Sequence, residues 1–335
     1  MNASADRPHV LVLGGGPDAE REVSLKSARA IADALESTGR FGVTFAPIHR
    51  VIQAELSAMP GTVIFPYLHG AWGEGGPLQD LLEADGRPFV GSGACASRQA
   101  MDKVASKAAA LRLGIATPMF HVFDPRDPAC PIPYPVILKP VHEGSTVGLF
   151  VCTCDLEWRA AREVIAADAR RGVHRAYLIE PRVGGGRGRE LTVGIIDRRA
   201  LPIIEITPAE GLYDYEAKYN RDDTRYTLDP SLPAGLADRM KAESLRLFAA
   251  MGCRHIARVD FMLDPVSGQA HFLEINTTPG FTDHSLVPKA ARHAGQDMPA
   301  LCAELVGLAL RDARSDPNWA STRGGGLAAA AAATP

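Results

Sequence analysis

Glu274 and Asn276 stand two residues apart in the apolar run Phe272, Leu273, Ile275, and a Thr-Thr-Pro-Gly turn ending at Gly280 follows. On an extended strand, residues i and i+2 share a face, so this carboxylate and amide present their oxygens side by side. Hard oxygen donors of that kind suit Mg²⁺, which takes a few protein ligands and fills its other positions with water and substrate phosphates. The run His255 to Leu263 has the same strand character and carries Arg258 and Asp260 at the same spacing, so Asp260 is a further candidate ligand. Such a cluster suits ATP chemistry. Taken alone, residues 274–280 also fit an Asn/Gly turn that merely closes a hairpin.

Other segments bear on the choice. Lys139 ends a Val-Ile-Leu run, and Glu143, Gly144, Ser145 and Thr146 follow before the next strand. Backbone N–H groups and hydroxyls in such a loop can wrap phosphate oxygens while Lys139 supplies a point charge. A plain hairpin loop is the alternative, although a lysine placed there needs a partner. Glu180 and Val183 follow the strand Tyr177 to Ile179, where an adenine can meet exposed backbone, and Glu190 could bind a ribose diol; either glutamate also fits a surface charge. Gly14 to Ala19 satisfies GxGxxA, but the second strand ends in Ile48-His49-Arg50 without an acid, and Glu20 and Glu22 would repel a pyrophosphate. Glu20 at a helix start suits a cationic amine, or simply a first-turn acid favoured by the helix dipole. Tyr213 to Tyr219, with Lys218, is too aromatic for an ordinary loop and too charged for a core, as lids are. His69 follows the strand Phe65 to Leu68 at the end where α/β folds bind ligands, although a lone histidine is usually structural. Ser285 and Leu286 begin a helix whose N–H groups could receive a carboxylate.

Positioning these groups takes a large fold. At 335 residues, 46% hydrophobic and 22% charged, the chain can bury sizeable cores and should divide into two or three units. A net charge of -3 leaves no polycationic footprint, so small molecules are expected as partners, not nucleic acid or membrane. The polar first residues and the lack of any run of about 18 apolar residues point to the cytoplasm. The cysteines (95, 130, 152, 154, 253, 302) lack paired metal spacing and read as reduced core thiols.

Val10 to Leu13 reads as a buried strand and Ser24 to Thr38 as a helix. Strands at Gly42–Ile48 and Thr62–Tyr67 and a helix at Pro77–Ala84 complete an α/β unit with a parallel sheet. A basic, Ala-rich helix carrying Lys103, Lys107 and Arg112 ends at Gly114 and opens a second unit. Its strands are Pro135–Lys139, Gly148–Cys152 and Ala176–Glu180, with a helix near Leu156–Arg170. Gly184 to Gly188 marks a flexible joint before a strand-rich third unit with helices at Pro233–Met251 and Met298–Leu310. The expected domains are 1–101, 102–186 and 187–314, with 315–335, which holds an alanine run, a disordered tail.

In order, the chain carries GGGPDAEREVSLKS (14–27), HGAWGEGG (69–76), GSGACASRQAMDK (91–103), LKPVHEGSTVG (138–148), YDYEAKY (213–219), RVDFMLD (258–264) and LEINTTPGFTDHSLVP (273–288). Across Val10 to Leu310 it resembles the D-alanine–D-alanine ligases, a branch of the ATP-grasp enzymes. The resemblance implies an α/β (α+β), three-domain ATP-grasp fold with an N-terminal Rossmann-like parallel-sheet domain and ATP between the second and third units. It implies that Asp260, Glu274 and Asn276 hold a pair of Mg²⁺ (or Mn²⁺) ions. Lys103 and Lys139 would contact the nucleotide phosphates under the loop of Glu143, Ser145 and Thr146. Glu180 and Val183 would meet the adenine, Glu190 the ribose and Lys218 the γ-phosphate. Glu20 would hold the ammonium of the first D-alanine, linked to Ser145 and Tyr219, with His69 nearby. Arg258 and the Gly280 backbone would form the oxyanion site, and Ser285 with Leu286 would take the second substrate's carboxylate.

The implied reaction joins two D-alanines through an acyl phosphate, releasing ADP and phosphate, for peptidoglycan precursor synthesis in a cytoplasmic homodimer. Gly75 stands where HGxxGEDG has aspartate, Pro181-Arg182 replaces a lysine–aromatic pair, and the Gly184 to Gly188 joint is longer than usual. These bear on loop stiffness, nucleotide affinity and the ribose assignment of Glu190. Tyr219 within an intact loop favours an amine nucleophile. The alternatives are a ligase of another amino-acid pair, such as D-Ala with D-Ser, and a nucleotide-binding regulatory paralogue. The paralogue would be marked by a lost metal ligand.

Overall fold

The structure, a computed structural model, describes residues 7–127, 129–144, 147–208 and 224–315. His9–Gly15 (β1) is flanked in parallel by Gly42–Ile48 (β2) and Val63–Pro66 (β3). A central parallel strand is covered on both faces, which is why Val10 to Leu13 is continuously apolar and fully buried. Arg21–Ser37 (α1) lays Ala28, Ile31 and Leu35 on this sheet. The glycines between β1 and α1 serve close packing. A Cβ on Gly14 would come within 2.5 Å of Ala28 Cβ, and Gly15, at φ 104°, would push one to 2.3 Å from Ile48 O. Arg21 Nη1 fills the turn, donating to Ile48 O (2.6 Å) and Gly16 O (2.9 Å).

Pro77–Asp85 was expected as a helix and is one (α4); the shorter helices Gln53–Ala58 (α2), Gly70–Glu74 (α3) and Ala94–Met101 (α5) were not. Lys103–Arg112 (α6) starts at Asp102, whose Oδ1 accepts from Val104 N (2.8 Å) and Ala105 N (2.9 Å). The second sheet is antiparallel. Its order runs from His121–Val122 (β4) through Tyr177–Pro181 (β7) and Val136–Pro140 (β5) to Phe150–Cys152 (β6), and Asp155–Arg170 (α7) packs Trp158 and Ala161 on it. At the expected flexible joint, Val183–Gly186 forms a tight turn in which Gly184 and Gly185 take the left-handed backbone, at φ 63° and 61°.

The third sheet is antiparallel, ordered Arg225–Leu228 (β10), Arg199–Thr207 (β9), Arg189–Ile196 (β8), Ile256–Leu263 (β11) and Ala270–Asn276 (β12). Along β11 the period of two buries Val259, Phe261 and Leu263 with Met240 and Leu247 of Leu236–Ala250 (α8), each burial worth roughly 1.5–3 kcal/mol. The alternate residues Arg258, Asp260 and Met262 face the other way. Leu286–His293 (α9) and Met298–Ser315 (α10) close the chain, and Leu305 and Val306 of α10 share a core with Val10, Ile31 and Leu35. The third unit therefore packs directly on the first.

All cysteines are unpaired, as expected, but Cys154 is exposed and Cys95 and Cys130 half-buried, so only Cys152, Cys253 and Cys302 are core thiols. Cys154 ends the turn before α7 and points outward. Among the described residues, no helix is long and apolar enough to cross a membrane. The expected tail from 316 onward lies outside the described residues.

Candidate active site

Register on β11 and β12 assembles the first wall. Asp260 pairs with Glu274, Arg258 with Asn276, and on the other side of β11 Asp260 pairs with Thr192, so all five point to one face. A register shift after Asp260 leaves Leu273 as the extra residue of a bulge, a device that re-aims neighbouring side chains. Asp260 is held on both oxygens: Arg258 donates at 2.8–3.1 Å and Thr192 Oγ1 at 2.6 Å. Glu274 Oε2 lies 3.2 Å from Lys103 Nζ, and Asn276 Oδ1 accepts from Thr278 N (3.0 Å). Two carboxylates and an amide, all oxygen donors, fit a hard divalent cation that keeps water and substrate ligands. Among the described residues no three His, Cys, Asp or Glu gather as a self-sufficient metal site.

The opposite wall comes from the second sheet. Lys139 on β5 and Glu180 on β7 share a face and meet, Lys139 Nζ to Glu180 Oε1 at 2.5 Å, which answers the expectation that Lys139 needs a partner. Glu180 is buried, not a surface charge. Lys103 Nζ donates to Glu143 O (2.6 Å), tying α6 to the loop after β5. Between the walls lies a cavity of about 370 Å³ lined by Lys103, Lys139, Glu143, Glu180, Val183, Glu190, Arg258, Asp260 and Glu274, among others. Asn276 sits at the strand end beyond that lining. A cavity with fixed lysines on one side and paired carboxylates on the other can take a polyphosphate together with its counter-ion. Ser145, Thr146, Lys218 and Tyr219 lie outside the described residues.

The remaining predicted residues gather on the first unit. Glu20 is the N-cap of α1 and His69 the N-cap of α3. His69 is buried, and among the described residues its Nε2 has no hydrogen-bond partner; burial holds its pKa below the ordinary value, against an opposing pull from Glu20. A Cβ built on Gly144 would lie 3.8 Å from Glu20 Oε2, so the chain entering Ser145 passes beside that carboxylate. The loop carrying Gly280 is clamped to the same unit: Tyr67 Oη donates to Pro279 O, and Phe281 N donates to Ser27 Oγ (3.4 Å). Ser285 caps α9, and its Oγ accepts from Thr282 N (3.0 Å), placing Ser285 and Leu286 at the helix start as expected.

Sequence reasoning passed over Glu74, Thr192 and the reach of Lys107. Glu74 is buried, its carboxyl pushed well above the usual range by burial and then by Glu20, and it accepts from Gly70 N (3.0 Å). With Asp18, which accepts from Trp72 N (3.0 Å), and Gln79, which donates to Gly73 O (2.8 Å), it ties down the loop whose stiffness Gly75 puts in question. Gly75 itself closes α3, where a Cβ would sit 2.4 Å from Ala71 O. Lys107 carried one sequence signal, its position four residues after Lys103 on one helix face.

A family model described as the D-ala D-ala ligase C-terminus matches residues 129–307. The D-alanine–D-alanine ligase of Herminiimonas arsenicoxydans is 39% identical over 318 residues, spanning 91% of this chain and 92% of that protein. The same enzyme of Bordetella pertussis is 41% identical over 312 residues, spanning 91% and 96%. Among solved structures, the D-alanine–D-alanine ligase of Bacillus anthracis complexed with ATP superposes with a TM-score of 0.76 at 28% identity, covering 93% of this chain and 99% of that one. VanG D-Ala:D-Ser ligase of Enterococcus faecalis gives 0.75 at 25% identity, covering 91% and 100%.

Proposed function

This chain belongs to the D-alanine–D-alanine ligase family, and on that premise we propose that it joins two D-alanines at the expense of ATP, for peptidoglycan precursor synthesis. The observation that carries the reading is one cavity in which Asp260 and Glu274 of the third sheet face Lys139 of the second, with Lys103 of α6 against Glu274.

A carboxylate is a poor electrophile and must first be activated. The first D-alanine, its ammonium held by Glu20 beside His69, presents a carboxylate oxygen to the γ-phosphorus of ATP. That oxygen bonds to phosphorus, ADP leaves, and an acyl phosphate forms. Lys103 and Lys139 supply fixed charge at the phosphates, Glu143 lies on the loop over them, and Glu180, Val183 and Glu190 receive adenine and ribose. Mg²⁺ or Mn²⁺ held by Asp260, Glu274 and Asn276 would neutralise charge on the transferring phosphoryl group.

The second D-alanine, its carboxylate at the start of α9 by Ser285 and Leu286, loses an ammonium proton and attacks the acyl carbon. The carbonyl electrons move to oxygen, where Arg258 and the Gly280 N–H meet them; each such donor is worth roughly 3 kcal/mol in comparable sites. Re-forming the carbonyl expels phosphate and leaves the dipeptide. Ser145 and Tyr219 beside Glu20 are the proposed proton route, and Lys218 the proposed γ-phosphate contact. The same reading includes the domain division 1–101, 102–186 and 187–314, a homodimer and a cytoplasmic location; sedimentation equilibrium tests the dimer.

The test is phosphate release with ATP, Mg²⁺ and D-alanine, with D-serine and D-lactate offered as second substrates. D-Alanine alone should support turnover and yield D-alanyl-D-alanine, and no D-alanine-dependent turnover would sink the proposal.

A further inference from the structure

Two lysines grip Glu180, and they differ in what else they can reach. Lys139 lines the cavity. Lys107 Nζ lies 2.8 Å from Glu180 Oε2, is fully buried, and is absent from the cavity wall. Among the described residues Glu180 Oε2 makes no well-directed hydrogen bond, so that ion pair is what compensates it. The Lys107 ammonium is itself fixed: it donates to Thr117 Oγ1 (2.8 Å), which donates to Phe272 O (2.8 Å) on β12, two residues before Glu274.

We propose that Lys107 is a positioning residue, the permanent counter-ion of Glu180, which leaves the charge of Lys139 available to the nucleotide phosphates. The proposal rests on the ATP-binding reading above. A Glu180–Lys139 pair alone would be neutral, and turning Lys139 toward a phosphate would strand an ionised carboxylate in the interior, a heavily penalised state. With Lys107 present, two lysines against one glutamate leave one net positive charge facing the cavity. The titration tendencies agree. Burial pushes Glu180 upward, yet Lys107 first and Lys139 second bring it below its ordinary value. Burial lowers Lys107 to about 8, with Glu180 pulling upward and Lys139 adding to the depression, so withdrawal of Lys139 to a ligand strengthens the remaining pair.

The experiment compares binding of a non-hydrolysable ATP analogue with Mg²⁺, and of adenosine, to wild type, K107M, E180Q and K107M/E180Q. Lys107→Met should weaken the analogue roughly tenfold or more but adenosine less than about threefold, because the lost contact is to phosphate. In an E180Q background the same substitution should cost the analogue less than about threefold, since no carboxylate remains to capture Lys139. Equal weakening of both ligands, an effect under about twofold, or the same loss in both backgrounds would each overturn the proposal. If K107M alone fails to fold, K107M/E180Q must fold; its rescue supports the counter-ion role and its misfolding contradicts it. Wild type that binds no nucleotide would instead defeat the ATP reading itself.

Discussion

The cavity proposed for the nucleotide and the side proposed for the amino acids handle charge in opposite ways. Along the cavity, charges are held in ion pairs: Lys139 on Glu180, which Lys107 grips from outside the cavity lining, Lys103 on Glu274, and Arg258 on Asp260. Beside it, around Glu20, burial keeps His69 toward neutrality and Glu74 toward its protonated form, and His69 Nε2 is buried without a partner among the described residues. A polyanion can enter the first region by exchanging partners, so Lys103 and Lys139 are stored as ion pairs that a phosphate or a cation can displace. A zwitterion brings its own ammonium and carboxylate, so the second region needs few charges and a polar atom waiting for one.

Substitutions should separate the two regions. The largest effect is expected for Glu274→Gln, which removes a proposed cation ligand and should cut phosphate release by about a thousandfold or more while melting stays near wild type. Retained activity would remove Glu274 from the metal site. Glu20→Gln should raise the KM for the first D-alanine by roughly 10- to 100-fold and leave ATP affinity unchanged. A parallel loss of ATP binding, read by calorimetry, would mean that the regions are not separable. Gly75→Asp forces a Cβ against Ala71 O and should cost about 1–3 kcal/mol in denaturant unfolding, with a modest rise in D-alanine KM only.

His255 provides a smaller effect outside both regions. It is buried at φ 61°, accepts from Gly91 N (2.9 Å) at Nδ1 and contacts Asp312 Oδ2 (3.1 Å) through Nε2, joining the first unit, β11 and α10. Burial depresses its pKa, so the unfolded chain binds the proton more readily. Its contribution is therefore complete above about pH 6.5 and is lost as the pH falls through and below that value. Asparagine tolerates the left-handed backbone, so His255→Asn should flatten this acid limb of stability at a cost of about 1 kcal/mol, followed by melting against pH.

Much of the cavity was legible because strand periodicity is local. Asp260, Glu274 and Asn276 share a face by spacing two apart and by cross-strand register, and Lys139 after three apolar residues demanded a partner. The partner's identity was not legible, since Glu180 lies forty-one residues away and reads locally as a surface charge. Lys107 in an Ala-rich helix likewise looks solvated until tertiary packing buries it. On the amino-acid side, the helix Gly70–Glu74 was hidden in a glycine-rich run because Asp18, Glu74 and Gln79 hold it through side chains, a feature propensity does not contain. The parallel first sheet, by contrast, followed from its continuous apolar strands.

In the proposed reaction, the phosphates in the cavity meet a carboxylate delivered from the Glu20 side. Incubating the protein with ATP, Mg²⁺ and D-alanine labelled with ¹⁸O in its carboxylate tests this directly, by mass analysis of the phosphate released. Collapse of an acyl phosphate leaves the former carboxylate oxygen on phosphorus, so one ¹⁸O per phosphate formed from fully labelled D-alanine is the predicted result. Unlabelled phosphate would contradict it.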